Sequence, residues 1–416
     1  MDMGYLYLLL ACLFGLLMTW GVGANDLANI LSTTIGSKAV TVRQAIIIAI
    51  IFEFAGAFLG GANVTHTIRN GIIDTSSLLH HSQLLIYGML AILLAGTTWM
   101  WLATFVGMPV SITNAIVGAL VGFGMVIFGP DAIMWTKVKY IAISWISSPI
   151  SAGVIAYLLF NTIKRSILGS VHPAQAMLRY APIYLLLVGF VLGLMIVVKG
   201  LIHMGIHLSH LENFAVDSGT SLLIMLLGMF AIRRIPYTPE AKLHEQFTYV
   251  EKVFSLLMAL TACSMVFAHG SNDVAISIGP IAAIDGILQH GTLSGDVPIP
   301  AWIFFLGCAG VILGLVMYGR KVIETVGSGI TKLTPSRAFS ATLAAAGTVI
   351  VSTSTGIPVS ATQTLVGAVL GVGLARGIGA LNIDVIRNIF LSWIITLPAA
   401  ASLAIAYFYV LKYLFH

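Results

Sequence analysis

The sequence predicts an all-α polytopic membrane protein, with about 10–12 transmembrane segments in two inverted repeats that carry broken helices. Three observations predict it. The composition is too apolar for water, the apolar stretches have membrane-crossing length, and three motif blocks recur in the same order in both halves.

Composition excludes a soluble globule. Of 416 residues, 58% are hydrophobic and 8% charged, with a mean hydropathy of +1.01. An ordinary soluble domain carries roughly 25% charged residues, which its surface needs. A transmembrane helix takes about 20 largely apolar residues. Stretches of that kind lie at 5–23, 44–61, 84–107, 115–128, 139–160, 180–198, 218–232, 250–268, 301–319, 339–356, 364–375 and 388–411. The first is expected to be a span and not a signal peptide, since Met1-Asp2-Met3-Gly4 offers no basic n-region. The formal charge of +5 does not point to nucleic acid. Basic residues fall in pairs at span ends, such as Lys164-Arg165 and Arg233-Arg234, and form no stripe interleaved with aromatics. Cys12, Cys263 and Cys308 form no CxxC pair, so neither a disulfide framework nor a zinc site is expected.

The repeat is read from three blocks. GANDLANI (23–30) matches GSNDVAIS (270–277), with Asp26 and Asp273 247 positions apart. GAFLGGANVTHTIRNGII (56–73) matches GLVMYGRKVIETVGSGIT (314–331) at an offset of 258, with 6 of 18 identical. MPVSITNAIVGALVGFG (108–124) matches IPVSATQTLVGAVLGVG (357–373) at 249, with 9 of 17 identical. One apolar block can match by chance, but three in order at nearly one offset mark an internal repeat. A loop inserted near 285–300 accounts for the larger middle offset. Charge gives its direction. Lys38 and Arg43 follow the first NDLAN, whereas Arg233, Arg234, Lys242 and Lys252 precede NDVAI, and 274–300 holds no Lys or Arg. Cytoplasmic loops collect Lys and Arg, so the two copies cross in opposite senses. The expected organisation is an N-terminal repeat over 1–130, scaffold spans and a cytoplasmic linker (233–252) within 131–249, a C-terminal repeat over 250–376, and a last scaffold span over 377–416.

Polar residues at membrane depth carry the functional expectation. Gly21 and Gly23 loosen the helix beside Asn25-Asp26, and backbone freed there is tolerable only where it is buried or lines a cavity. Asn25, Asp26, Asn272 and Asp273 supply hard oxygens suited to a small cation such as Na⁺. The alternative, a pair capping a helix at the membrane surface, does not account for a motif repeated at equivalent places. PVSITN (109–114) and PVSATQ (358–363) read as helix starts. Their free N–H groups, with Ser111, Thr113, Asn114, Ser360, Thr362 and Gln363, would hold an anion if the two starts met. The plainer alternative is a Pro kink with Ser/Thr helix packing. Apart from Lys199, almost no Lys or Arg lies inside a span, so helix ends would have to do that work. Glu53 in IIFEFAGAF is a third acid, open to Na⁺ or to a proton, and its repeat equivalent is Val311. Carboxylates would repel an anion strongly in a low dielectric. Bound cations or protons remove the conflict, so cation–anion coupling acquires a physical cause. Hydrogen phosphate carries a P–OH donor that a carboxylate can accept. Sulfate carries none, and an unpaired group costs about 1–3 kcal/mol.

GANDLAN, GSNDVA, IFEFAGA and the paired PVSxT segments resemble the inorganic phosphate transporter (PiT) family, whose signature is close to GANDVANA and occurs twice in inverted repeats. The resemblance covers roughly 20–75, 105–125, 260–282 and 310–375. It implies a Na⁺- or H⁺-coupled phosphate symporter in the plasma membrane (the inner membrane of a bacterium), with no other cofactor, and a transport core of the two repeats with two re-entrant hairpins, flanked by scaffold spans. It implies that Asn25, Asp26, Asn272 and Asp273 lie in ion- and phosphate-binding motifs, that Ser111, Thr113, Ser360 and Thr362 lie at hairpin tips, and that Glu53 is an acidic position in the following span. Ile276 departs from the second signature, Asn114 and Gln363 replace the usual His, Ile112 and Ala361 remove hydroxyls, and Thr342 stands near where some relatives have a second Glu. The partners expected are inorganic phosphate, Na⁺ or H⁺ and the lipid bilayer, with a homodimer as the assembly to test.

Other signals are weaker. His203, His207, His210 and Glu212 share one helical face, but an interfacial loop accounts for them better than a metal. His80-His81 reads as a loop feature, Asn63-Val64-Thr65 as a sequon by pattern only, and Gly118/Gly122 as helix packing. Two other functions compete: transport of another tetrahedral oxyanion such as sulfate, and an uncoupled anion channel. No HExxH or GxSxG motif stands at a depth that would favour an enzyme.

Overall fold

The computed structural model describes residues 3–74, 82–197, 206, 208–237, 242–291, 298–326, 332–377, 379 and 381–415. Among them the chain is helical throughout, apart from turns and one isolated bridge between Ile73 and Ile133. Among the described residues, nine helices are long and apolar enough to cross a membrane. Each of the twelve apolar stretches in the sequence overlaps one of the helices, and the outward faces stay apolar. Ile146, Ile150 and Leu158 on one helix, Leu222, Leu223, Leu226 and Leu227 on another and Ile394 on a third are all exposed, as lipid-facing side chains would be.

The first half begins with α1 (Met3–Val22), a π-helical turn (Gly23–Leu27) and α2 (Ala28–Gly36). Next come α3 (Val42–Gly60) and the nine-residue α4 (Ala62–Asn70). α5 (Ser82–Val106) then turns back as α6 (Ile112–Ile127), and α7 (Trp135–Ile163) follows. α8 (Pro173–Met195) and α9 (His210–Ile232) lead into the second half. That half repeats the plan: α10 (Leu243–His269), a π turn (Gly270–Val274), α11 (Ala275–His290), α12 (Ala301–Val326), a second hairpin of α13 (Pro335–Ser354) and α14 (Ala361–Arg376), and finally α15 (Ile383–Phe415).

The NDLAN and NDVAI segments differ from the unwound breaks that the glycines led us to expect. The helix axis continues through both, from Met3 to Gly36 and from Leu243 to His290, and the interruption is a single π turn. A π turn bulges the helix wall without unwinding it, and often marks a functional site. The glycines serve close approach. A Cβ on Gly23 would overlap the backbone carbonyl of Val311, and one on Gly270 would overlap that of Glu53. These two contacts are images of each other at the offsets read from the sequence. Replacing Gly23 by Ala is therefore expected to cost about 1–3 kcal/mol or more of stability through overpacking. Gly286→Ala on α11, where a Cβ meets nothing within 4 Å, serves as the neutral or mildly stabilising control. Thermal unfolding in detergent compares the two.

Each hairpin turns at a glycine with positive φ, Gly107 at 75° and Gly356 at 74°, a region that favours residues without a Cβ. The return helices start at Ser111 and Ser360, whose hydroxyls accept the N–H of Asn114 (3.3 Å) and Gln363 (3.2 Å). The equivalence also reaches beyond the stretches expected to repeat. Ser144 on α7 donates to the carbonyl of Pro358 at 3.3 Å, and Ser392 on α15 donates to that of Pro109 at 2.9 Å. Trp145 and Trp393 follow those serines in Ser-Trp-Ile triplets 248 positions apart, a signal visible in the sequence that the motif search passed over.

Two expected loops are shorter than read. Helix α11 runs to His290, so the polarity of 285–290 belongs to a helix end. Helix α10 starts at Leu243, so the linker read as 233–252 ends about ten residues earlier. His80, His81, Lys199, His203 and His207 lie outside the described residues.

Candidate functional site

The two π turns and the two hairpin tips converge on one buried polar cluster. Asn25, Asp26, Glu53, Ser111, Thr113, Asn114, His269, Asn272, Asp273, Ser360, Thr362 and Gln363 are each at most 2% exposed. Burying so many polar groups in an apolar bundle is costly unless they are paired or serve a ligand.

Each Asn holds one hairpin tip. Asn25 Oδ1 accepts the N–H of Val110 at 3.3 Å, while its Nδ2 donates to the carbonyl of Met108 at 3.0 Å and to Thr104 Oγ1 at 3.2 Å. Asn272 does the same for the second tip, accepting from Val359 N–H at 3.2 Å and donating to the Val359 carbonyl at 2.5 Å. Both amides are thus committed to backbone, and they fix the helix starts relative to the π turns.

Asp26 joins the two tips. Its Oδ2 accepts the N–H of Ile112, the first residue of α6, at 3.1 Å. Its Oδ1 accepts the hydroxyl of Thr362, in the first turn of α14, at 3.2 Å. Thr113 in the first tip donates to the carbonyl of Val359 in the second at 2.8 Å. The helix starts that the sequence expected to meet do meet, and a carboxylate of the protein sits between them, where the N-terminal partial charges favour an anion.

Asp273 has different company. Asn272 Nδ2 donates to its Oδ1 at 2.8 Å, and its Oδ2 lies 3.3 Å from His269 Nε2. The other ring nitrogen of His269 lies 2.5 Å from Glu53 Oε1. The imidazole is thus hydrogen-bonded to Glu53, whereas Nε2 and Asp273 Oδ2 face each other at ion-pair distance without hydrogen-bond geometry. His269 was not among the residues picked from the sequence. Its signal was there, a His four residues before Asp273 and so on the same helical face. The repeat equivalents of Glu53 and His269 are Val311 and Val22, both fully buried. The architecture therefore accepts an apolar pair at this place, and uses a charged one on one side only.

Asn29 is a second residue that sequence reading missed. Because Val110 N–H fixes Asn25 Oδ1 as an acceptor, Asn29 must turn its Nδ2 toward it, at 3.2 Å. Asn29 Oδ1 is left buried with no hydrogen-bond partner, as are Glu53 Oε2, Asp273 Oδ2 and Gln363 Oε1. His269 Nε2 is likewise buried without a hydrogen-bond partner, and the four oxygens beside it are the chemistry of a site that accepts cations or protons. Thr342, noted for the absence of a Glu, is buried against Thr33, with the two hydroxyls 3.1 Å apart.

Known proteins resemble this chain along nearly its whole length. Residues 22–404 match the model of the phosphate transporter family. A Haemophilus influenzae chain carrying a provisional phosphate permease name is 46% identical over 409 residues, covering 98% of this chain and 97% of that one. The Arabidopsis thaliana chain named inorganic phosphate transporter 2-1, chloroplastic, is 37% identical over 424 residues, covering 95% of this chain and 70% of its own. A solved structure titled the sodium-dependent phosphate transporter superimposes with a TM-score of 0.90 at 37% identity, covering 98% of this chain and 99% of that one. With nine helices of membrane-crossing length among the described residues, packed around paired NDxA turns, and with the match running through both halves, the chain belongs to the phosphate transporter family.

Proposed function

We propose that the chain imports inorganic phosphate by symport with Na⁺, with H⁺ as the alternative coupling ion, through alternating access around the buried cluster. The observation that carries this reading is the position of Asp26 between the two hairpin tips. In this arrangement a protein carboxylate uses the donors that a phosphate would need. Phosphate gains them only when Asp26 turns toward something else, and a bound cation is that alternative partner. Cation binding thus frees the anion site and neutralises its surroundings in one step, which ties one flux to the other.

The phosphate ligands proposed are Ser111, Thr113, Asn114, Ser360, Thr362 and Gln363 with the two tip N-termini, and Asp26 and Asp273 as acceptors for the P–OH. Na⁺ is assigned to oxygens of Asp26, Glu53 and Asp273, with the amide oxygens of Asn25 and Asn272 within the same shell. Those amide oxygens already accept Val110 and Val359 N–H, so a cation takes them only by sharing. The orphaned Oε2 of Glu53 and Oδ2 of Asp273 are open to it.

Labelled phosphate uptake into proteoliposomes tests the reading. An imposed Na⁺ gradient is expected to drive accumulation above equilibrium, and a tenfold excess of sulfate to leave most of it intact. A pH gradient acting alone would replace Na⁺ by H⁺ in the proposal. Equilibration without accumulation under both gradients would instead identify an uncoupled channel, and equal competition by sulfate a broader oxyanion carrier.

A further inference from the structure

The short helix α4 touches the second hairpin tip, and nothing in the binding chemistry above uses it. Thr67 Oγ1 donates to the carbonyl of Gly356 at 2.7 Å. Thr65 Oγ1, on the buried face, donates to the carbonyl of Ala275, just after the second π turn, at 3.0 Å. Ile68 packs where a Cβ on Gly279 would overlap it. By the Lys/Arg bias, α4 lies at the outer end of the bundle, so it closes that end over the tip that carries Ser360 and Thr362. It is joined to α3 through Gly60–Gly61. The repeat counterpart of this joint is Tyr318–Gly319, inside α12, which continues unbroken to Val326. The offsets of the second and third blocks turn Thr67 into Thr325 and Gly356 into Gly107. The same hydroxyl and the same tip glycine are therefore encoded for the inner end.

We infer that α4 is the outer gate of the site, hinged at Gly60–Gly61 and latched from Thr67 to the Gly356 carbonyl. The chemistry suits a device that opens on every cycle. One neutral hydrogen bond to a turn carbonyl is specific in direction and weak enough to break repeatedly. A glycine at positive φ also leaves that carbonyl open to a side chain approaching from the neighbouring helix. This inference rests on alternating access as proposed above, but not on the identity of the transported ions.

A disulfide tests it. A Cβ built on Gly356 falls 3.7 Å from Asn63 Cβ, within disulfide range of about 3.5–4.5 Å. The pair N63C/G356C is made in a background with Cys12, Cys263 and Cys308 replaced by Ala, with each single variant as a control. Oxidation, verified by peptide mass, is expected to lower uptake by at least about tenfold, and dithiothreitol to restore it. Uptake unchanged with the bond demonstrably formed overturns the gate. Cysteine at the strained glycine carries a risk of misfolding, so a second variant stands beside it. Thr67→Val is expected to raise labelling of a Val64→Cys thiol, buried on the inner face of α4, by about fivefold with an impermeant maleimide added outside. Thr67→Ser is expected to return it to the parental rate. Labelling that ignores Thr67→Val overturns the latch. If the unoxidised parent accumulates no phosphate, the transport reading fails instead, and the labelling arm still judges the gate.

Discussion

Asp26→Asn is expected to lower gradient-driven phosphate uptake by about 10–100-fold, the loss anticipated when a charge-assisted buried bond worth roughly 1.5–3 kcal/mol is removed. The amide keeps the shape of the carboxylate but replaces one acceptor by a donor. Both positions it would occupy already face donors, the N–H of Ile112 on one side and the hydroxyl of Thr362 on the other. With Nδ2 toward Ile112 two donors confront each other, and with Nδ2 toward Thr362 the hydroxyl must turn to accept, so either way the charge-assisted bonds to the two tips are lost. The charge that should attract the coupling cation is gone as well. Uptake per reconstituted molecule, with folding checked by circular dichroism, decides the matter. A variant that transports like its parent would remove Asp26 from the coupling step.

The second prediction uses the molecule's own asymmetry. Glu53→Val or His269→Val alone is expected to destabilise by about 3–5 kcal/mol, since each leaves a buried ionisable partner uncompensated. The double variant Glu53→Val/His269→Val reproduces the Val311 and Val22 pair that the other repeat already packs with full burial. It is expected to regain most of that stability and still fail to accumulate phosphate. Thermal unfolding and uptake, measured on the same preparations, separate structural from coupling roles. Recovery of uptake together with stability would show that the charged pair is only structural. A double variant as unstable as the singles would show that the repeats do not pack alike here. Glu53→Gln, which keeps the volume and loses the charge, is the milder companion and is expected to reduce uptake without the full loss of stability.

Much of this was legible in the chain itself because a bilayer leaves few options. Apolar segments of spanning length must be helices, and polar residues within them must face inward. The tips were legible because Pro-Val-Ser before an apolar run is helix-start chemistry in any setting. His269 and Asn29 escaped notice because each is ordinary alone and gains meaning from its neighbour. The histidine matters through Glu53, 216 positions away, and the asparagine through the N–H of Val110, 81 positions away. The form of the helix interruption also escaped. Glycines next to a polar pair signal a weakened helix, but the choice between an unwound gap and a π turn depends on what packs alongside. Here the backbone of α12 or α3 presses against the turn and keeps the axis whole.

The sequence by itself determined the membrane class, the repeat with its opposed crossings, and the acids and helix starts that would have to cooperate, because each follows from local periodicity, charge bias or burial cost. Only the tertiary structure decided which donors face which acids. It gave Asp26 to both hairpin tips, Glu53 to His269, and Thr67 to the carbonyl of Gly356. Such pairings join residues tens to hundreds of positions apart, and their geometry is set by how helices pack, which no local pattern encodes.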